Sequence, residues 1–254
     1  VLAQLFSGIA CCLYAWRLFP FLKPERGMFQ CDREIAKQIL IYGVPTGFQM
    51  SIISISDMTL QAVVNTYGTA MIVAYGVCTK VEGLGFQIAD AIGSALGTFA
   101  GQNVGAKQFD RVRKGVTSAY VMNIVCYGIF CPIVFFTADK IMRQFTGNTD
   151  AICYGTEYMK MFSLFFIAGG VLVIYHNILR ASGDIPVTLL MGLSEVVTRI
   201  GCAMLLPKWF GHFGLWLVSP FTWVCAALVG AVRYYSGAWQ KKAEKMLLHR
   251  EEVL

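Results

Sequence analysis

The chain has 254 residues, 56% hydrophobic and 14% charged, with a mean hydropathy of +0.58 and a formal net charge of +6. Soluble domains carry roughly 25% charged residues, so this composition excludes an ordinary soluble enzyme or binding domain and points to an all-α polytopic protein whose first partner is a lipid bilayer. The cations sit in short connections between apolar runs, which reads as membrane topology and excludes nucleic acid as a partner.

Seven apolar segments follow one another at about 1–22, 38–64, 69–100, 116–137, 158–179, 185–206 and 211–236, each able to cross about 30 Å of hydrocarbon as a helix. The first opens at Val1 without an initiator Met, a basic leader or a small-residue cleavage site, so the expectation is a fragment with about five further spans encoded upstream. On that reading, residues 1–22 are the last transmembrane helix of a missing N-terminal lobe and 23–37 a charged cytoplasmic linker between lobes. Residues 38–236 are a six-helix C-terminal lobe and 237–254 a cytoplasmic tail. In the second segment Pro45, between Gly43 and Gly47, removes a backbone hydrogen bond and predicts a kink. In the third, Gly85, Ala89, Gly93, Gly97, Gly101 and Gly105 recur every fourth residue, a smooth face expected to let another helix of the same lobe approach closely. This helix leaves the bilayer through the cationic GQNVGAKQFDRVRKG. The stretch Ala138 to Glu157 reads as the one long outside loop. Asp184 is placed to cap the sixth segment, with Pro186 suited to its first turn. The tail from Trp239 reads as a surface-lying helix or as a solvated segment without a partner.

Orientation follows from lysine and arginine. Fourteen of them, including Lys107, Arg111, Arg113, Lys114, Arg180 and Arg233, fall on one side, against Lys140, Arg143, Lys160 and Lys208 on the other. The richer side is expected in the cytoplasm, with the C-terminus, in a multi-pass protein of the cell membrane. The nine cysteines are scattered, without a CxxC pair or nearby histidine, so neither a disulfide framework, a metal site nor a cofactor is expected. No HExxH, paired catalytic carboxylates or nucleophile beside a base occurs, and an enzyme is not expected. A seven-helix receptor would account for the number of spans, but the outside segments are short except for Ala138 to Glu157.

Charges inside spans cost about 2.5–3.5 kcal/mol each at a helix centre, so Asp57, Lys80, Glu82, Asp90, Glu195 and Arg199 should face partners or a water-filled cavity. Asp57 and Lys80 lie at matching depths, about 12–14 Å from the outer boundary on consecutive helices, and read as an ion pair. With Glu82 they are the candidates for a substrate or ion cavity. Glu195 and Arg199, four residues apart, read as a structural ion pair on one helix face. His176 reads as a helix-contact histidine, with a proton carrier as the alternative. Phe130, Phe135, Phe136, Phe162, Phe165 and Phe166 read as lipid or core contacts that could also line a cavity.

Four stretches carry a family resemblance: YGVPTGFQ opening the second span, AYGVCTKVEGLGFQIADAIGSALGTFAGQNVGAKQFDRVRKG, the ILRASGD turn after the fifth, and GLWLVSP opening the seventh. In this order and spacing the chain resembles the C-terminal half of a multidrug and toxic compound extrusion (MATE) transporter, within a wider group that includes lipid and polysaccharide flippases. The resemblance implies twelve helices in two six-helix lobes, and an antiporter that expels small organic, often cationic, compounds in exchange for protons or sodium. In the NorM-like branch an acid eight residues after the span-opening proline and another ten before the leucine of ILR help bind the coupling cation. Those positions are Ile53 and Gly169 here. The departure fits the DinF-like branch, whose coupling acids lie in the N-terminal lobe. A lipid flippase is the alternative, and a strongly cationic central cavity would favour it.

Overall fold

A computed structural model describes residues 2–19 and 33–253, and among these residues all regular structure is helical. The elements are α1 (Leu2–Leu18), α2 (Arg33–Asn65), α3 (Thr69–Gly105), α4 (Phe109–Phe145), α5 (Thr149–Ala181), α6 (Ile185–Phe210), α7 (His212–Tyr235) and α8 (Ala238–Val253). The chain divides into two units, Val1–Gly43 and Val44–Leu254. The first contains α1, a 17-residue apolar helix with no buried side chain, and the opening turns of α2. The second contains everything that follows. Of the linker expected at 23–37, residues 23–32 lie outside the described residues and 33–37 belong to α2.

Among the described residues, five helices are long and apolar enough to cross a membrane: Ile35–Asn65, Phe109–Phe145, Thr149–Ala181, Ile185–Phe210 and His212–Tyr235. The 37-residue α3 falls outside that class because glycines and the charges of Lys80, Glu82 and Asp90 lower its hydropathy. The α1 segment is shorter, and α2 runs without a break through Pro45. The long outside loop expected between Ala138 and Glu157 is not a loop: α4 and α5 run through it and leave only residues 146–148 between them. Two local features extend the helices. Arg143 donates two hydrogen bonds to Asp139 one turn earlier, at 2.7 and 3.1 Å, and the Asn148 side chain caps α5 by accepting from the amides of Asp150 and Ala151.

Helix α5 is the hub of the second unit. Helices α3, α4 and α7 pack along it, and α6 pairs with α7. Its core contact is a ring cluster in which Phe166, fully buried, meets Tyr127, Phe130, Phe162, Phe86 and Trp223 at centroid distances of 5.2 to 5.7 Å. Phe162 and Phe166 are therefore core residues, whereas Phe136 is 80% exposed.

The small-residue face of α3 meets α5 over half its length only. A Cβ added at Gly85 would fall 2.6 Å from the Phe166 ring, and one at Gly93 2.5 Å from Asn177 and 2.8 Å from Val173. Ala89 between them is 1% exposed, and at Gly97 the nearest atom, of Asn177, is at an ordinary 3.4 Å. Gly101 and Gly105 have nothing within 4 Å, so the ridge expected through residue 105 ends as a packing surface near 97. The face receives side chains rather than a second backbone. A close approach to backbone occurs instead at Gly214, whose absent Cβ leaves room for the main chain of Leu206 and Pro207.

The C-terminal helix has partners. Trp239 is 1% exposed, stacks on Tyr234 at 5.7 Å with rings 7° from parallel and meets Phe109 edge-on, while Gln240 accepts a 2.8 Å hydrogen bond from Arg113. Of the two readings of the tail, the solvated segment without a partner is corrected by these contacts. Gly93→Leu should destabilise the protein by about 1–3 kcal/mol through overpacking against α5, and Gly101→Leu should leave it unchanged. Thermal unfolding of the two variants in detergent checks this, and equal melting temperatures would contradict the packing described.

Candidate functional site

A cavity of about 930 Å³ lies among α2, α3, α5, α6 and α7, wholly within the second unit. Each helix brings polar groups to it. Helix α2 supplies Gln49 and Asp57, α3 supplies Glu82 and Asp90, α5 supplies His176 and Arg180, α6 supplies Glu195 and Arg199, and α7 supplies Ser219 and Trp223.

Helical spacing brings the α2 and α6 groups to the same opening. Ile53 and Asp57 are one turn apart and both line it, as do Glu195 and Arg199 on α6. The latter two do not spend their charges on each other. Arg199 forms an ion pair with Asp57, and Glu195 Oε1 lies 2.9 Å from His176 Nε2. The expected i,i+4 pair is thus replaced by contacts between helices, since a side chain pointing into a shared cavity meets groups across it more directly than one along its own axis. Arg199 and Glu195 keep only 8% of their side-chain surface exposed, while Asp57 keeps 58%.

Lys80 does not join Asp57. Its side chain is exposed and is not among the cavity-lining groups, because Thr79 and Glu82, not Lys80, occupy the inward face of that turn of α3. Glu82 does line the cavity, and its Oε2 accepts a 2.8 Å hydrogen bond from the hydroxyl of Tyr158, a buried residue stacked between Tyr75 and Trp216. Of the three candidate cavity residues, Asp57 and Glu82 are therefore brought to one cavity and Lys80 is not.

Sequence reading missed Gln49 and placed His176 only in part. Gln49 is 3% exposed; its Nε2 donates to the Thr188 carbonyl at 2.9 Å and lies 3.4 Å from His176 Nδ1. Gly192 makes room for it, since a Cβ there would stand 2.7 Å from the Gln49 side chain. Gln49 closes the YGVPTGFQ stretch, so the signal was present as a polar residue on an apolar helix but carried no charge to attract notice. His176 is the second: it is a helix contact, as its position suggested, and it also lines the cavity.

Neither Ile53 nor Gly169, the two positions singled out in the sequence, places an acid in this cavity. Ile53 presents an apolar side chain to the cavity, with the acid one turn further on at Asp57. A Cβ at Gly169 would meet Phe86 at 3.3 Å and Trp223 at 3.5 Å, so the ring cluster fills the space that a carboxylate there would need.

The sequence profile of the MatE family matches residues 45–205, well over half of the chain. The chain belongs to this family. It is 27% identical over 251 residues to the "Probable multidrug resistance protein YpnP" of Bacillus subtilis, covering 97% of this chain and 55% of that protein. A second Bacillus subtilis protein, "Probable multidrug resistance protein YoeA", is 25% identical over 87% of this chain and 48% of its own length. Among solved structures, the Vibrio cholerae MATE transporter VcmN in its bent form superposes with a TM-score of 0.80 at 16% identity, over 95% of this chain and 54% of that one. The chain spans about half the length of the relatives it matches. MATE proteins are membrane transporters rather than enzymes, and the all-helical fold with its apolar spans is that of the family.

The Asp57–Arg199 pair joins α2 to α6 with one half buried, so its loss should cost between the ~1 kcal/mol of an exposed pair and the ~3–5 kcal/mol of a buried one. Asp57→Asn and Arg199→Gln should each lower the unfolding midpoint, and the double variant should recover part of the loss. A double-mutant cycle showing simple additivity would contradict the pairing.

Proposed function

We propose that this chain acts as the C-terminal lobe of a cation-coupled antiporter that exports small organic, often cationic, compounds across the cell membrane. In this reading a companion N-terminal lobe completes the transporter, the C-terminus lies in the cytoplasm, and the coupling ion is a proton or sodium. Support comes from family membership, from the multidrug resistance names of the relatives, and from the match to about half of their length. The positive-side asymmetry of lysine and arginine supports the orientation.

The observation that carries the substrate class is the sign of the cavity. Four carboxylates, on Asp57, Glu82, Asp90 and Glu195, face two guanidiniums, on Arg180 and Arg199. A cavity lined by more carboxyl groups than guanidiniums and walled by Tyr75, Phe86 and Trp223 suits organic cations through charge and through the faces of its rings. A flippase handling anionic lipid-linked substrates would need the opposite sign, and the lining gives that reading no support. Departure from the NorM-like acid positions at Ile53 and Gly169 supports a DinF-like placement of further coupling acids in the companion lobe.

Glu82 is the carboxylate best suited to a test, because Gln can still accept from Tyr158. In everted vesicles carrying the complete transporter, Glu82→Gln should reduce export of a cationic dye about tenfold. Export of a neutral compound of similar size should stay within about twofold. Equal loss for both compounds, with normal membrane insertion, would show that this cavity does not select by charge.

A further inference from the structure

Helix α8 does not continue α7. Gly237, at φ +68°, turns the chain between them, and α8 then crosses the ends of its neighbours. Near its start Trp239 meets Phe109 at the head of α4 and Tyr234 at the foot of α7. Two turns on, Met246 fills the space that a side chain on Gly183 would take, in the turn between α5 and α6. Contacts in this order run the helix across the spans instead of along them, which is how an amphipathic helix lies at a membrane surface.

The face of α8 turned to the bundle carries Trp239 and Ala243, both buried, with Met246 and Leu247 half-buried beside them. At roughly 100° per residue, Lys241, Lys242 and Lys245 fall together on a separate sector of the helix, bordered by the exposed Leu248. The three lysines are exposed and make no ion pair among the described residues. The hydrogen bond from Arg113 to Gln240 joins the start of α4 to the same surface, with Arg111 and Lys114 exposed on either side of Arg113. Two carboxylates lie in these stretches, and neither pairs with an α8 lysine. Asp110 stands 4.0 Å from Arg113, and Glu244 accepts a 3.0 Å hydrogen bond from Gln240 one turn back. Lipid reaches the foot of α8 along α7, where Leu228, Val232 and Tyr235 form an exposed apolar stripe that ends in a ring suited to headgroup level.

We propose that the lysine sector of α8, with Arg111 and Lys114, is a docking surface for the headgroups of anionic phospholipids in the leaflet beside it. The inference goes beyond the export reading and does not depend on it. Charge complementarity selects an anionic partner, and the apolar surroundings select a lipid. Leu248, exposed next to the lysines, fits the boundary between headgroups and acyl chains, and the lysine stems can lie along that boundary with their ammonium groups among the phosphates. A soluble phosphate ester would satisfy the lysines but would leave Leu248 and the stripe of α7 uncovered. Each lysine close to an anionic surface adds about fivefold to the attraction, which fades within about 8–10 Å at physiological salt. Since α8 also touches α4, α7 and the turn between α5 and α6, the leaflet and the ends of these spans meet on one helix.

Photo-crosslinking of the purified complete transporter tests the surface. In lipid nanodiscs of equal parts phosphatidylglycerol and phosphatidylcholine, one lipid or the other carries a photoreactive group near its glycerol, and labelling is mapped by peptide. Labelling of α8 should favour phosphatidylglycerol about fivefold at physiological salt. The preference should fall to parity when Lys241→Gln, Lys242→Gln and Lys245→Gln are combined and persist when the same three positions carry arginine. The three side chains are exposed, so an unchanged melting temperature is expected of both variants. High salt should erase the preference of the wild type itself, a reading that needs no variant. Equal labelling by the two lipids, a preference that survives loss of the lysines, or one indifferent to salt would each overturn the proposal. Lys140→Gln with Lys208→Gln, at the other end of the bundle, should keep the preference; its loss there would assign the effect to net charge and overturn the site. Loss on adding glycerol phosphate, at an ionic strength matched with chloride, would assign the surface to a soluble phosphate ester and overturn the lipid as its partner.

Discussion

A charge inside a membrane-spanning bundle has to be matched by another group, because lipid offers it nothing. In this chain the matching is done between elements rather than within them. Asp57 and Arg199 join α2 to α6, His176 and Glu195 join α5 to α6, Tyr158 and Glu82 join α5 to α3, and Arg233 on α7 holds Asp184, in the turn before α6, at 2.6 Å. Removing one member of such a pair leaves the other stranded, which costs far more than the pair contributes when intact. The same groups therefore fix which helices meet and give the cavity its polarity. Architecture and chemistry are not separable here.

The dry half of the bundle supports the wet half. Phe86 and Trp223 belong to the ring cluster around Phe166 and also face the cavity, so one side of each ring is packed and the other is available. Gly85 and Gly93 let α3 lie close against α5, and Gly170 and Gly230 do the same for Asn123 and Tyr175 on neighbouring helices. A cavity wall built this way is held at fixed spacing by close-packed aromatic side chains, and a ligand meets a surface that does not collapse when empty.

Most of the apolar helices, their order and the family were legible in the sequence because each rests on local composition: apolar runs, the fourfold glycine spacing, and short motifs such as GQNVGA. What was lost concerned distance along the chain. The stretch from Ala138 to Glu157 looked like a loop because its residues are polar, yet polar residues suit helix ends that project past the hydrocarbon, and Asn148 and Arg143 stabilise those ends. Lys80 looked like the partner of Asp57 because depth along an axis can be counted from sequence; the azimuth that turns Lys80 away from the cavity and Glu82 toward it cannot be fixed until a neighbouring helix is known. Glu195 and Arg199 looked paired because four-residue spacing permits it, although facing groups on α5 and α2 are nearer in function and geometry. Asp184 occupies the cap position before α6, but its carboxylate goes to Arg233 rather than to a helix amide. In each case local physics allowed the contact and tertiary competition took the side chain elsewhere.

The α2 helix shows how this competition shapes function. Its apolar end is anchored, with Leu60 and Val64 in the core, while Gln49 and Asp57 reach α6 through a hydrogen bond and an ion pair. Apolar packing is insensitive to charge, whereas the pair between Asp57 and Arg199 responds to it. An element fixed at one end by burial and along its middle by polar contacts can be released or held by whatever occupies the cavity, provided that the occupant interacts differently with the two arrangements. The carboxylate of Asp57 is paired with Arg199 yet 58% exposed, so a cation that reached it would compete with an arginine for the same oxygens. Charge in this cavity then bears on α2 through its pair with α6, as it bears on the other helix contacts that rest on charged side chains.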